Sequence, residues 1–258
     1  MPAGAVPASD PMPEGDLTAL WDRLAGLFDF PGPDYPAAVV AGREAVAGRF
    51  PTAGTELAAF ARRLPGGTGD WGEGPLEELR EIFTRTFDVQ AITTLDVGYV
   101  VFGDDYKRGE LLVHLGAEHR EAGVECGHEL PDHLPNVLRL LPRWEDRELA
   151  AEFVREILHP ALERMIAQFD PDRTGQRNWL YRKYHRTLIA TSATRADLFR
   201  HALAAVLDVL RAEFELGGWV PPERDNDFLG SLRRELETDL VSAVEEPAGS
   251  GARKGGST

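Results

Sequence analysis

The run Thr93-Thr94-Leu95-Asp96-Val97-Gly98-Tyr99-Val100-Val101-Phe102 decides between an all-helical chain and a mixed one. Its β-branched and aromatic residues fit a strand. A lone strand would leave its backbone N–H and C=O groups unpaired, and no partner strand is evident elsewhere in the sequence. A short helix is therefore predicted over 93–102.

Working upstream, Pro75 suits the first turn of a helix whose apolar face is Leu76, Leu79, Phe83 and Phe87. The stretch LPGGTGDWGEGP (64–75) reads as a loop. Leu57, Phe60, Ala61 and Leu64 mark an earlier helix, and an Ala-rich helix is predicted over 37–50. Leu17, Leu20, Trp21, Leu24, Leu27 and Phe28 share one helical face, with Asp16 as N-cap; the run FPGPDYP stops that helix.

Downstream, a helix from Tyr106 carries Leu111, Leu112, Leu115 and His119 and ends at Gly123. A short helix is predicted over 129–141, and a long one over 145–169 with Leu149, Phe153, Ile157, Leu162, Met165 and Phe169 inward and a kink at Pro160. Helices over 177–190, 195–216 and 227–244 complete the pattern. The predicted class is an all-α, single-domain multi-helix bundle over 17–244. The Pro-, Ala- and Gly-rich segment 1–16 and the tail 245–258 are predicted to be disordered.

Hydrophobic residues make up 43% of 258, enough for a sizeable core. The net charge of −15 repels phosphate backbones and favours basic partners, so no nucleic-acid partner is expected. Cys126 is the only cysteine, which fits a reducing compartment. The first residues lack a basic n-region and an apolar h-region, and no stretch approaches the ~18 apolar residues of a membrane span. A cytoplasmic location without membrane insertion is expected.

No GxGxxG, GxxxxGK[ST] or GxSxG motif is present, so an enzyme is not expected, and no catalytic residue or cofactor is assigned. Cys126, His128, Glu129, Asp132 and His133 are metal-ligand types. On a helix, however, His128 and His133 would point about 140° apart, and His133 faces Glu129 one turn earlier. The spacing favours a helix N-terminus with Glu129 and Asp132 in its first turn. A metal carrier or metal-dependent enzyme using Cys126, His128, Asp132 and His133 is the alternative. Asp104-Asp105 reads as a helix cap before Tyr106. Arg177 to Arg186 interleaves bases with Trp179, Tyr181 and Tyr184, but at helical spacing the aromatics read as core.

Two stretches, PLEELREIFTRTFDVQAITTLDVGYVVFGDDYKRGELLVHL (75–115) and EHREAGVECGHELPDHLPNVLRLL (118–141), resemble the NarJ/TorD-type redox-enzyme maturation chaperones, nearest the nitrate reductase assembly (delta subunit-like) branch. The Glu129-Leu-Pro131-Asp132-His133-Leu-Pro135 run carries the likeness most specifically. Thr86-Phe87-Asp88 and the Gly103, Arg108, Gly109 element support it. Asp96-Val97-Gly98-Tyr99 departs from the polar segment common in that branch, so the client implied is nitrate reductase or a different respiratory molybdoenzyme, such as one acting on chlorate, selenate, dimethyl sulfide or a hydrocarbon.

The resemblance implies an all-α chaperone without catalysis of its own. It would hold the catalytic, molybdopterin-binding subunit of a respiratory molybdoenzyme, at that subunit's N-terminal peptide, until the molybdenum cofactor is inserted. It would also delay docking or export. Glu129, Pro131, Asp132 and His133 match the family's signature helix, and Arg108 and Gly109 its preceding loop. Phe83, Phe87, Tyr99 and Phe102 are aromatic candidates for the wall of a client-peptide groove, with ordinary core as their other reading.

Overall fold

The computed structural model describes residues 12–69, 71–89, 91–170, 195 and 197–216. The chain divides into two units, Met1–Pro221 and Pro222–Thr258, and every described residue lies in the first. That unit is an all-α bundle. Its helices are α1 (Glu14–Ala25), α2 (Tyr35–Val46), α3 (Pro51–Arg63), α4 (Glu73–Phe87), α5 (Val97–Phe102), α6 (Tyr106–Glu121), α7 (Leu134–Leu140), α8 (Arg147–Phe153), α9 (His159–Ala167) and α10 (Leu198–Glu213). The predicted helices over 177–190 and 227–244, the base-and-aromatic run from Arg177 and the tail 245–258 lie outside the described residues.

The first helix begins earlier than predicted. It opens at Glu14, inside the segment expected to be disordered, with Pro13 before it. Asp16 therefore sits in the first turn with Glu14, where both carboxylates face the positive end of the helix dipole, and does not cap it. Leu20, Trp21 and Leu24 are buried as the periodicity required. Asp105 caps α6, its Oδ1 accepting from the Lys107 N–H at 3.0 Å.

The predicted kink at Pro160 takes a definite form. Proline lacks an N–H, and its ring collides with the carbonyl four residues back. The chain widens into a π turn over Val154–Leu158 just before it, between α8 and α9. The widened turn admits Pro160 while Ile157, Leu158, Ala161 and Leu162 all stay buried.

The run that decides the fold does two things. Only its second half is helical, as α5. Its first half is extended and does find a partner, in an isolated antiparallel bridge between Asp96 and His133. The Val97 N–H donates to the Asp132 carbonyl at 2.9 Å, and the Leu134 N–H to the Leu95 carbonyl at 2.8 Å. That bridge corrects the helix predicted over 129–141. α7 starts at Leu134, so Glu129, Pro131, Asp132 and His133 lie in the turn leading into it, outside any first helical turn.

The core is continuous through the bundle. α3 packs along α10, α1 against α7 and α2, and α9 against α10 and α5. Trp21, Trp144, Phe28, Phe60, Phe153 and Phe199 are its largest fully buried side chains.

Candidate functional site

Two features adjoin in space: a charged clamp and a groove. The clamp begins at the end of α4. The Thr86 carbonyl accepts from the Ile92 and Thr93 N–H groups at 2.9 and 3.1 Å, turning the chain back. The extended segment then delivers Asp96 to the bridge. From the first turn of α6, Arg108 reaches two carboxylates. Its Nε donates to Asp132 Oδ2 at 3.1 Å and its Nη2 to Asp96 Oδ2 at 3.0 Å. His133 Nδ1 meets the other Asp96 oxygen, Oδ1, at 3.1 Å. Arg108 also stacks over the Tyr99 ring, 5.3 Å from its centroid.

Asp132 is fully buried. Burial pushes its carboxyl above the ordinary range, and the Arg108 hydrogen bond pulls against that. Asp96 goes the other way: the hydrogen bond from His133 outweighs burial and holds its carboxyl below the ordinary range, with Arg108 assisting. Burial also works against the charge on Arg108, and the hydrogen bonds and charges of Asp132 and Asp96 overcome it, raising its pKa. Gly98 packs on this clamp so closely that an added Cβ would lie 2.7 Å from Asp132 Oδ2.

The turn carrying Cys126 to Leu130 is tied to α7. Asn136 Nδ2 donates to the carbonyls of Cys126 and Leu130 at 3.2 and 3.1 Å. His119 Nε2 donates to the Pro131 carbonyl at 3.1 Å, since a carbonyl can only accept.

The groove, about 650 Å³, lies between this turn, the end of α4 and the segment after α1. Its apolar floor is Phe28, Phe30, Phe83 and Phe87. The rings form an edge-to-face chain, with centroids 5.6 Å apart for Phe30–Phe83, 5.0 Å for Phe83–Phe87 and 6.5 Å for Phe28–Phe87. Its rim is acidic: Asp29, Asp88, Asp96, Glu125 and Glu129 line it, with Arg139 on the same wall paired to Asp29. Asp88 and Glu125 have no ion-pair partner among the described residues. Cys126 and His128 also line it, and burial raises the Cys126 thiol pKa.

No protein-family model matches this chain, and no curated protein matches it.

Of the ten residues expected to bind a client peptide, Phe83, Phe87, Glu129 and His133 line the groove. Phe83 and Phe87 are also core residues, packing on Phe199 of α10 at 5.4 and 5.0 Å. Arg108 and Asp132 stand behind the groove, as the clamp. Tyr99 packs against Arg108, and Tyr99, Phe102, Gly109 and Pro131 are not among the groove residues. Cys126, His128, Asp132 and His133 do not form a metal-ligand set: Asp132 is committed to Arg108 and His133 to Asp96, and no group of three His, Cys, Asp or Glu suited to a metal ion occurs among the described residues.

Sequence reading missed Phe28 and Phe30 as groove residues and Asp96 as the clamp's hub. Phe30 carried a usable signal: a large aromatic directly before Pro31-Gly32-Pro33 has no helix face to bury it, and it is 60% exposed. Asp96 carried none, because its partners lie 12 and 37 residues away. No helix among the described residues is long and apolar enough to cross a membrane.

Proposed function

We propose that this protein is a cytoplasmic, non-catalytic assembly chaperone. It binds the catalytic, molybdopterin-binding subunit of a respiratory molybdoenzyme, nitrate reductase or a relative, at that subunit's N-terminal peptide, and assists molybdenum-cofactor insertion before membrane docking or export. The observation that carries this reading is the groove: an aromatic floor rimmed by carboxylates, two of them without an ion-pair partner among the described residues. An amphipathic peptide lays its apolar face on such a floor and its basic residues on such a rim. The two sequence stretches that resemble the NarJ/TorD-type chaperones supply most of the groove wall and the whole clamp, which adds support.

The test is titration of the purified chain with peptides copying the N-termini of the molybdoenzyme catalytic subunits of the same organism. Binding to one of them is expected, weakening as salt is added. Failure to bind every one of them, and every full-length apo-subunit, overturns the proposal.

A further inference from the structure

His133 sits where clamp and groove meet, and its two ring nitrogens have different fates. Nδ1 lies 3.1 Å from Asp96 Oδ1. The other oxygen of that carboxylate is engaged by Arg108, which is itself anchored on buried Asp132. An ionised carboxylate only accepts hydrogen bonds, so the proton of the neutral imidazole must sit on Nδ1. Nε2 is then bare. No described group bonds it, and the ring lines the groove beside Glu129, whose Oε2 is 4.0 Å from Nδ1.

We infer that His133 is a specificity-determining residue whose Nε2, held as an acceptor by the Asp96–Arg108–Asp132 clamp, receives an N–H of an arginine or lysine side chain on the bound peptide. The inference rests on the client-peptide reading and adds the atom that recognises the cation. Arg108 and Asp132 are positioning residues: they touch no ligand and act by fixing Asp96. Asp88 and Glu125 on the same rim, without an ion-pair partner among the described residues, make a cation the complementary group. A neutral acceptor beside them adds direction, because its lone pair accepts only along the ring plane. One hydrogen bond to a charged donor corresponds to roughly tenfold or more in affinity.

The test has two arms on the full chain at pH 8. In ligand-free protein, long-range proton–nitrogen spectra should show His133 as the Nδ1–H tautomer, and Asp96→Ala should shift it toward Nε2–H. An Nε2–H ring in the unaltered protein overturns the inference. In the second arm, an Arg-bearing client peptide and its Arg→norleucine analogue are titrated against the unaltered protein, His133→Leu and His133→Gln. His133→Leu should lose about tenfold for the Arg peptide and almost nothing for the norleucine one. His133→Gln, which carries an amide oxygen near the Nε2 position, should recover most of that loss. Equal loss for both peptides, or no loss, overturns the inference and leaves the chaperone reading standing. Absence of binding by the unaltered protein overturns both.

Discussion

The seam between α3 and α10 and the groove beside α4 are built from the same kinds of residue and finished differently. At the seam, Phe60 packs on Phe199 with centroids 5.6 Å apart, and the polar edge is closed. Arg49 pairs with Glu213, the Ala53 N–H donates to Asp208 at 3.0 Å, Arg63 pairs with Asp197, and His201 Nδ1 meets Glu56 at 2.7 Å. At the groove, Phe30 is 60% exposed, and Asp88 and Glu125 have no cation paired to them among the described residues. One surface has used its hydrogen-bonding and apolar capacity internally. The other leaves some of it open at the surface, and if the groove binds a peptide as proposed, stability and binding should separate along that line.

Phe60→Ala tests the first half of the contrast. It opens a cavity in the seam and should cost about 3–5 kcal/mol, read as a lower urea midpoint, while any protein that stays folded binds client peptide normally. A loss of affinity in the folded fraction would show that the two regions are coupled.

Asp132→Ala should come next, at about 3 kcal/mol, because it removes the buried carboxylate partner of Arg108 and leaves only Asp96 to neutralise it. Asp132→Asn keeps an acceptor and should cost less. If Ala and Asn cost the same, the clamp is not held by charge.

Acid should distinguish interior from groove by a route unrelated to either mutation. Burial lowers the His114 pKa from 6.5 to about 4; the ring is almost wholly enclosed beside Trp144. The unfolded chain takes up this proton near pH 6.5 and the folded one only near 4, so the stability it contributes is complete above 6.5 and is lost as pH falls toward 4. Between pH 7.5 and 5 that amounts to about 2 kcal/mol. His119 and His159 shift in the same direction, again through burial. His114→Gln should flatten the pH dependence of the urea midpoint, and an unchanged slope would assign the loss to other groups.

Phe30→Ala is the smallest perturbation of the fold and the sharpest probe of the groove. Its ring is mostly in solvent, so stability should change by less than about 1 kcal/mol. Client-peptide affinity should still drop severalfold, because the ring is the part of the floor that a ligand can cover.

Helical period made most of the fold legible. Leu20, Trp21 and Leu24 or Leu149, Phe153 and Ile157 each repeat every three or four residues, and that repeat is a local property of the chain. What was not legible is non-local. Nothing within ten residues of Asp96 announces that it will pair with Arg108 and His133, or that a one-residue bridge will satisfy an extended segment that looked partnerless. The same gap explains the misplaced helix start at 129. The charges of Glu129 and Asp132 suit a helix N-terminus, but the tertiary bridge and Asn136 capture that backbone first. At the site, the aromatic and acidic residues near Phe83 and Glu129 could be read as groove material, whereas the division of labour between clamp and groove required coordinates.

The bridge between Asp96 and His133 bears on when the protein becomes competent as well as on its shape. It ties residues 37 apart, and α6 lies wholly inside the segment it closes. A helix of that length forms and melts within about a microsecond from contacts along its own sequence. Closing the surrounding segment carries an additional entropic cost and waits on the clamp. A chain still emerging from the ribosome can therefore display helices long before it owns a binding rim. On the proposed reading, readiness to bind a peptide would then follow finished folding rather than precede it.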